Sequence, residues 1–201
     1  MTLSGPPSRA SEVRGKRVEV RVSSQGRLGQ LVWLWAIGGV VAILLQAVIR
    51  LGPRALGVFE EGLTPLQWGI TGVWVLFMLY SEAWRGFHLN FSPRVVARAS
   101  GLMDRPAPLL WLFAPIVAMG LVYATPRRLL VSRLLLGGIV ALILLVRQLP
   151  EPWRAMVDLG VVLGLAAGTV SVLWFAVRAM LGTGPGVDPQ FPDGHAPEGS
   201  W

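Results

Sequence analysis

Apolar residues in this chain come in long blocks, without the spacing of a half-buried helix or the alternation of a half-buried strand. The blocks run from about Leu31 to Ile49, Leu66 to Tyr80, Leu109 to Ala124, Leu129 to Val146 and Arg154 to Met180. Short charged or proline-bearing stretches separate them. A helix needs about 20 apolar residues to cross roughly 30 Å of bilayer hydrocarbon, and the blocks approach or reach that length. The pattern predicts an all-α integral membrane bundle of about five transmembrane helices, with spans near 31–49, 66–86, 109–124, 129–147 and 154–180.

Local signals place the ends. Trp33 and Trp35 open the first span where indoles favour the interface, and Arg50 closes it. Trp68, Trp84, Trp111 and Trp153 read in the same way as anchors near span ends. Pro115 lies inside the third span and predicts a kink. Thr125-Pro126-Arg127-Arg128 reads as a tight turn that makes spans three and four a hairpin, and Pro150 and Pro152 separate four from five. The fifth span exceeds what a bilayer needs and is expected to tilt.

The polar segments complete the organisation. Residues 1–27 form a basic arm with Arg9, Arg14, Lys16, Arg17, Arg21 and Arg27. The apolar run behind it is full length, which fits an uncleaved first span better than a signal peptide. Within the arm, residues 18–23 alternate as a strand would. Residues 28–182 make the membrane domain, with a cytoplasmic loop at 87–107. In that loop Ser92-Pro93 reads as a helix start. The short helix it opens would lie at the interface, Val95, Val96 and Ala99 in lipid and Arg94 and Arg98 among headgroups. Residues 183–201, with four prolines and four glycines, read as a disordered tail.

Basic residues set the expected orientation. With five spans and the N-terminus inside, twelve Lys and Arg fall on the inner side and six on the outer. The expectation is a cytoplasmic N-terminus and an outer C-terminus in a bacterial inner membrane. Arginine outnumbers lysine seventeen to one, the bias of a GC-rich bacterial genome.

Composition narrows the chemistry. Hydrophobic residues are 53% of the chain and charged residues 14%, with a mean hydropathy of +0.58. The net charge of +7 reflects dispersed basic residues beside spans, not a nucleic-acid surface. There is no cysteine, which excludes disulfides, thiolate metal sites and cysteine nucleophiles. The two histidines are His88 and His195, the second in the tail. No metalloprotease, phosphate-loop or dinucleotide motif occurs. The expectation is a non-enzyme with no catalytic residue, cofactor or metal site.

Two constellations stand out. Under the five-span topology Glu82, Arg85, Arg147, Arg154 and Asp158 share the cytoplasmic boundary. They read as a structural ion-pair cluster, as a site for an anionic headgroup or partner, or as part of a proton or ion pathway, though nothing charged continues deeper. No acid is expected at mid-depth in any span. In span five Gly160, Gly164 and Gly168 recur every four residues, a flat stripe that lets another helix approach closely. Whether that helix is internal or belongs to another chain is open.

The stretches Tyr80–Arg98 and Val157–Phe175 resemble uncharacterised small polytopic inner-membrane proteins of bacteria. The resemblance implies a multi-pass membrane protein and carries no functional motif. Three functions follow from the sequence. The first is a non-enzymatic component of a membrane assembly, packing through span five against another membrane protein or itself, with lipid as its solvent. The second is a small transporter or channel. The third is an enzyme acting on lipid headgroups.

Overall fold

A computed structural model describes residues 26–60, 62–105 and 107–192. The strand-like alternation at 18–23 and His195 lie outside the described residues. Every regular element among the described residues is helical. The chain opens with α1 (Arg27–Leu56), closed by a 3-10 turn (Gly57–Phe59), then α2 (Pro65–Met78), a π-helix (Leu79–Phe91) and α3 (Ser92–Met103). Two short helices, α4 (Pro108–Leu112) and α5 (Ala114–Ala118), precede the long α6 (Pro126–Val146) and α7 (Trp153–Met180).

Among the described residues three helices are long and apolar enough to cross a membrane: Arg27–Phe59, Leu129–Val146 and Trp153–Met180. The expectation of five spans is not met. At 109–124 the chain forms only α4 and α5, five residues each, broken at Phe113. At 1.5 Å per residue each is about 7 Å long, far short of the bilayer. Pro115, read as a kink, stands at the start of α5, where its missing N–H costs nothing. Its ring sits on Gly39 of α1, at a spot where any side chain at that position would collide with it.

The second block follows a different course from the expected one. Thr64 and Gln67 form a capping box and Pro65 takes the first turn, so α2 starts where its sequence says it should. The helix does not stop at Gly86. Leu79 and Ser92, at the two ends of the π-helix, both keep right-handed helical angles, so helical backbone runs from Pro65 to Met103. Pro93 offers no N–H, so the return from the wide register to the α register falls where a donor is already missing. Segment 87–107 is therefore mostly helix rather than loop.

Helix α3 is also not interfacial. Val95, Val96, Ala99 and Leu102 are buried in the main core with Trp33, Ala36, Val40, Val117, Val172 and Ala176. Trp33, expected as an interface anchor, is 2% exposed, and its Nε1 donates to Ser100 Oγ at 3.2 Å.

Contacts along the helices give their directions. The most extensive packing is α1 on α7. Val58 meets Ala155 and Met156 at one end, while Val32, Trp33 and Ala36 share a core with Val172, Ala176 and Ala179 at the other. These helices are antiparallel. The start of α1 and the end of α7 lie at one end of the bundle. Helix α2 and the π-helix run parallel to α7, since Trp74 meets Gly160, Glu82 meets Gly164 and Phe87 meets Gly168.

Helix α6 stands apart. Only 6% of its apolar window is buried, and nothing lies within 4 Å of where side chains at Gly137 or Gly138 would project. Gly182, at φ +83°, ends α7 in the left-handed conformation that glycine adopts without strain. Beyond it the chain is tied down through residue 192, against the expectation of a disordered tail. Phe191 is buried in the main core, and Thr125 N–H donates to the Gln190 carbonyl at 3.2 Å.

Candidate functional site

The glycine stripe of α7 is the floor of the site. Gly160, Gly164 and Gly168 are all buried, and each is covered by a side chain from α2 or the π-helix. Trp74 covers Gly160 and donates from Nε1 to the Val157 carbonyl at 3.2 Å. Phe87 covers Gly168. The partner of the stripe is therefore internal. It is not free to seat a second protein.

Glu82 covers Gly164. A Cβ there would lie 2.7 Å from Glu82 Oε2. Glu82 Oε2 is buried and has no hydrogen-bond partner. Gly164 falls in the middle third of the 28-residue α7, so the half-buried Glu82 meets that helix midway along its length. Glu82 was expected at the end of a span; it lies against the middle of α7, on a helix that is not among the three long and apolar enough to cross a membrane.

The other residues of the expected cluster are dispersed. Asp158 is 5% exposed, with Oδ2 buried and unpartnered, and Arg154 Nε is buried and unpartnered one turn before it. Asp158 and Gly164 are six residues apart on α7, about 9 Å along the axis. Arg147 is exposed just past α6. Arg85 is exposed on the π-helix, between the levels of Gly164 and Ser171. The five charges do not share one level.

Sequence reasoning missed His88. Its Nδ1 is 3.0 Å from Ser171 Oγ on α7. Its ring stacks on Trp84 at 4.9 Å between centroids and tilts against Phe175 at 5.2 Å. One more turn along the π-helix, the Asn90 side-chain amide donates to the Arg85 carbonyl at 2.6 Å, and Arg94 donates to Asn90. Glu82 and His88 thus meet one face of α7, and Asp158 points about 120° away from Gly164 around that helix. Nothing local in the sequence announces the wide register of the π-helix that carries them.

Arg98 was expected among headgroups and is 2% exposed. Its guanidinium donates to the carbonyls of Val117, Pro189 and Tyr123, each at 2.7 Å, and stands 4.8 Å from the centre of the Phe191 ring. It fastens the segment after α7 and the segment after α5 to α3. Trp35 Nε1 donates to the Leu112 carbonyl at 3.2 Å, which satisfies an acceptor at the α4–α5 break.

Among the described residues, no group of three His, Asp or Glu side chains is placed to hold a metal ion. No family model, curated protein or solved structure matches the chain.

Proposed function

We propose that this protein is a small transporter or channel of a bacterial inner membrane. The observation that carries the reading is the Glu82 carboxyl, held against Gly164 inside the bundle without a partner. Acids at that depth are expensive, and in membrane proteins they mark ion and proton paths. A purely structural role would normally leave such an oxygen hydrogen-bonded. The sequence alone offers charged ends for a path and no middle. Glu82, with His88 and Ser171 beyond it, supplies the middle.

In this reading α2 and the π-helix make a fourth crossing beside α1, α6 and α7. Glu82, turned toward α7, gives this helix a polar inner side that a wholly lipid-facing helix would lack. Four crossings return the chain to the side it started from, as the antiparallel α1 and α7 require. Charge supports the cytoplasm as that side. Of the 18 Lys and Arg in the chain, only Arg50, Arg54, Arg147 and Arg154 fall at the opposite end.

The test is charge movement across planar bilayers holding the purified protein. Wild-type protein is expected to pass current under an applied voltage and ion gradient, and Glu82→Gln to reduce it to the level of bare lipid. Equal currents from the two proteins would remove the reading.

A second reading, a non-enzymatic assembly component, rests on α6. Its apolar surface is bare on nearly all sides, as a helix awaiting another membrane protein would be. Native mass spectrometry after gentle extraction is expected, on this reading, to return a stoichiometric protein partner. A monomer would count against it.

A further inference from the structure

We propose that the ion handled along α7 is the proton, and that His88 with Ser171 is its second station after Glu82. This rests on the transport reading above. The argument is one of arrangement. A metal-cation site gathers several oxygen ligands around one point. Around Glu82 Oε2 nothing polar converges. Its close neighbour is the bare backbone of Gly164.

Two titratable groups are instead set one after the other along one face of α7, Glu82 opposite Gly164 and His88 opposite Ser171. Gly164 and Ser171 are seven residues apart, about 10 Å along the helix. Such a row cannot chelate, but each member can hold one proton by a covalent O–H or N–H bond and release it to a bridging water. Ser171 Oγ, both donor and acceptor, lets the imidazole pass a proton on either ring nitrogen without losing its contact.

The surroundings leave this row as the ionisable content of the middle of the bundle. On α7 no charged residue lies between Asp158 and Arg178, and on α1 none lies between Arg27 and Arg50. Arg154 and Arg54 stand near Asp158 at one end. Arg94 and Arg98 on α3 lie beyond His88 at the other, both occupied with oxygen acceptors. Arg85 is exposed on the outer side of the π-helix and fixes a positive charge beside the row. Glu82 and His88, six residues apart on the π-helix, both reach α7. Wide turns of this kind are rare and recur at functional sites.

The experiment uses the full chain in vesicles of phosphatidylcholine and phosphatidylglycerol, with a pH-sensitive dye inside and a potassium gradient clamped by valinomycin. Radioactive sodium uptake is followed in parallel. Wild-type vesicles are expected to acidify or alkalinise with the sign of the potential and to take up no sodium. Glu82→Gln is expected to match protein-free vesicles. His88→Gln, which keeps a hydrogen bond to Ser171 but cannot titrate, is expected to slow the movement and to flatten its dependence across about pH 5 to 8. Sodium uptake without a pH change, abolished by Glu82→Gln, would leave transport standing and overturn the proton. An unchanged rate and pH profile in His88→Gln would make His88 a packing residue. Should that variant fail to fold, Ser171→Ala decides, with the same flattened profile expected and an unchanged profile overturning the second station. Movement of neither ion in wild type would overturn the transport reading itself.

Discussion

Gly164 and Glu82 are complementary in size, and the site depends on that. The glycine removes a side chain so that a carboxyl can lie on the backbone of the facing helix. Replacing it refills the space. Gly164→Leu forces atoms into Glu82 and is expected to lower stability by about 1–3 kcal/mol, the usual cost of overpacking. Thermal unfolding in detergent, followed by circular dichroism, measures this. An unchanged midpoint would mean that the helices are not packed as described. The stripe itself was legible in the sequence, because glycines four residues apart have one physical use on a membrane helix. Which helix it receives was not. That depends on pairing between segments 83 residues apart, as in the bond from Trp74 to Val157. Glu82 was misplaced for a related reason. Gly86 looked like a helix end, and ending the helix there put the acid at a boundary.

At the scale of elements, α7 matches the expected 154–180 because its signals are local, a long apolar run with Gly182 behind it. The π-helix and α3 do not match, since both depend on partners. Val95, Val96 and Ala99 beside Arg94 and Arg98 look amphipathic in isolation. A burial that absorbs the Arg98 charge cannot be read from that pattern. The guanidinium is neutralised by carbonyls from two distant segments. Hydrogen bonds to a charged group are worth about 1.5–3 kcal/mol each before desolvation is repaid. Arg98→Met is therefore expected to loosen the strap at residues 183–192 more than the helices. Limited proteolysis should cut within the strap in the variant and spare it in wild type. Equal protection in both would show that Phe191 alone holds it.

For the whole molecule, the decisive change from the sequence reading lies in segment 109–124. It has the composition of a span and the geometry of a plug, two short helices wedged against α1 at Gly39. Hydropathy counts residues and cannot see a break at Phe113. On the proposed four-crossing reading both termini lie on one side and the charge asymmetry between the two ends sharpens. The chain has no cysteine, so single introduced cysteines report sidedness without background. Ser8→Cys and Ser200→Cys are expected to react with an impermeant thiol reagent from the same side of sealed membranes. Glu60→Cys, in the turn between α1 and α2, is expected to react from the other. Opposite sidedness for the two termini would restore an odd number of crossings.

The same absence of cysteine allows the central claim, a wetted path at Glu82, to be examined directly. Glu82→Cys and Val73→Cys are to be compared for reaction with a small charged thiol reagent in sealed membranes. Val73 is 70% exposed on α2, on the side that faces lipid in the proposed crossing. The account predicts that Glu82→Cys is modified from at least one side while Val73→Cys stays unmodified. If both resist the reagent equally, water does not reach that level of the bundle, and the path does not exist.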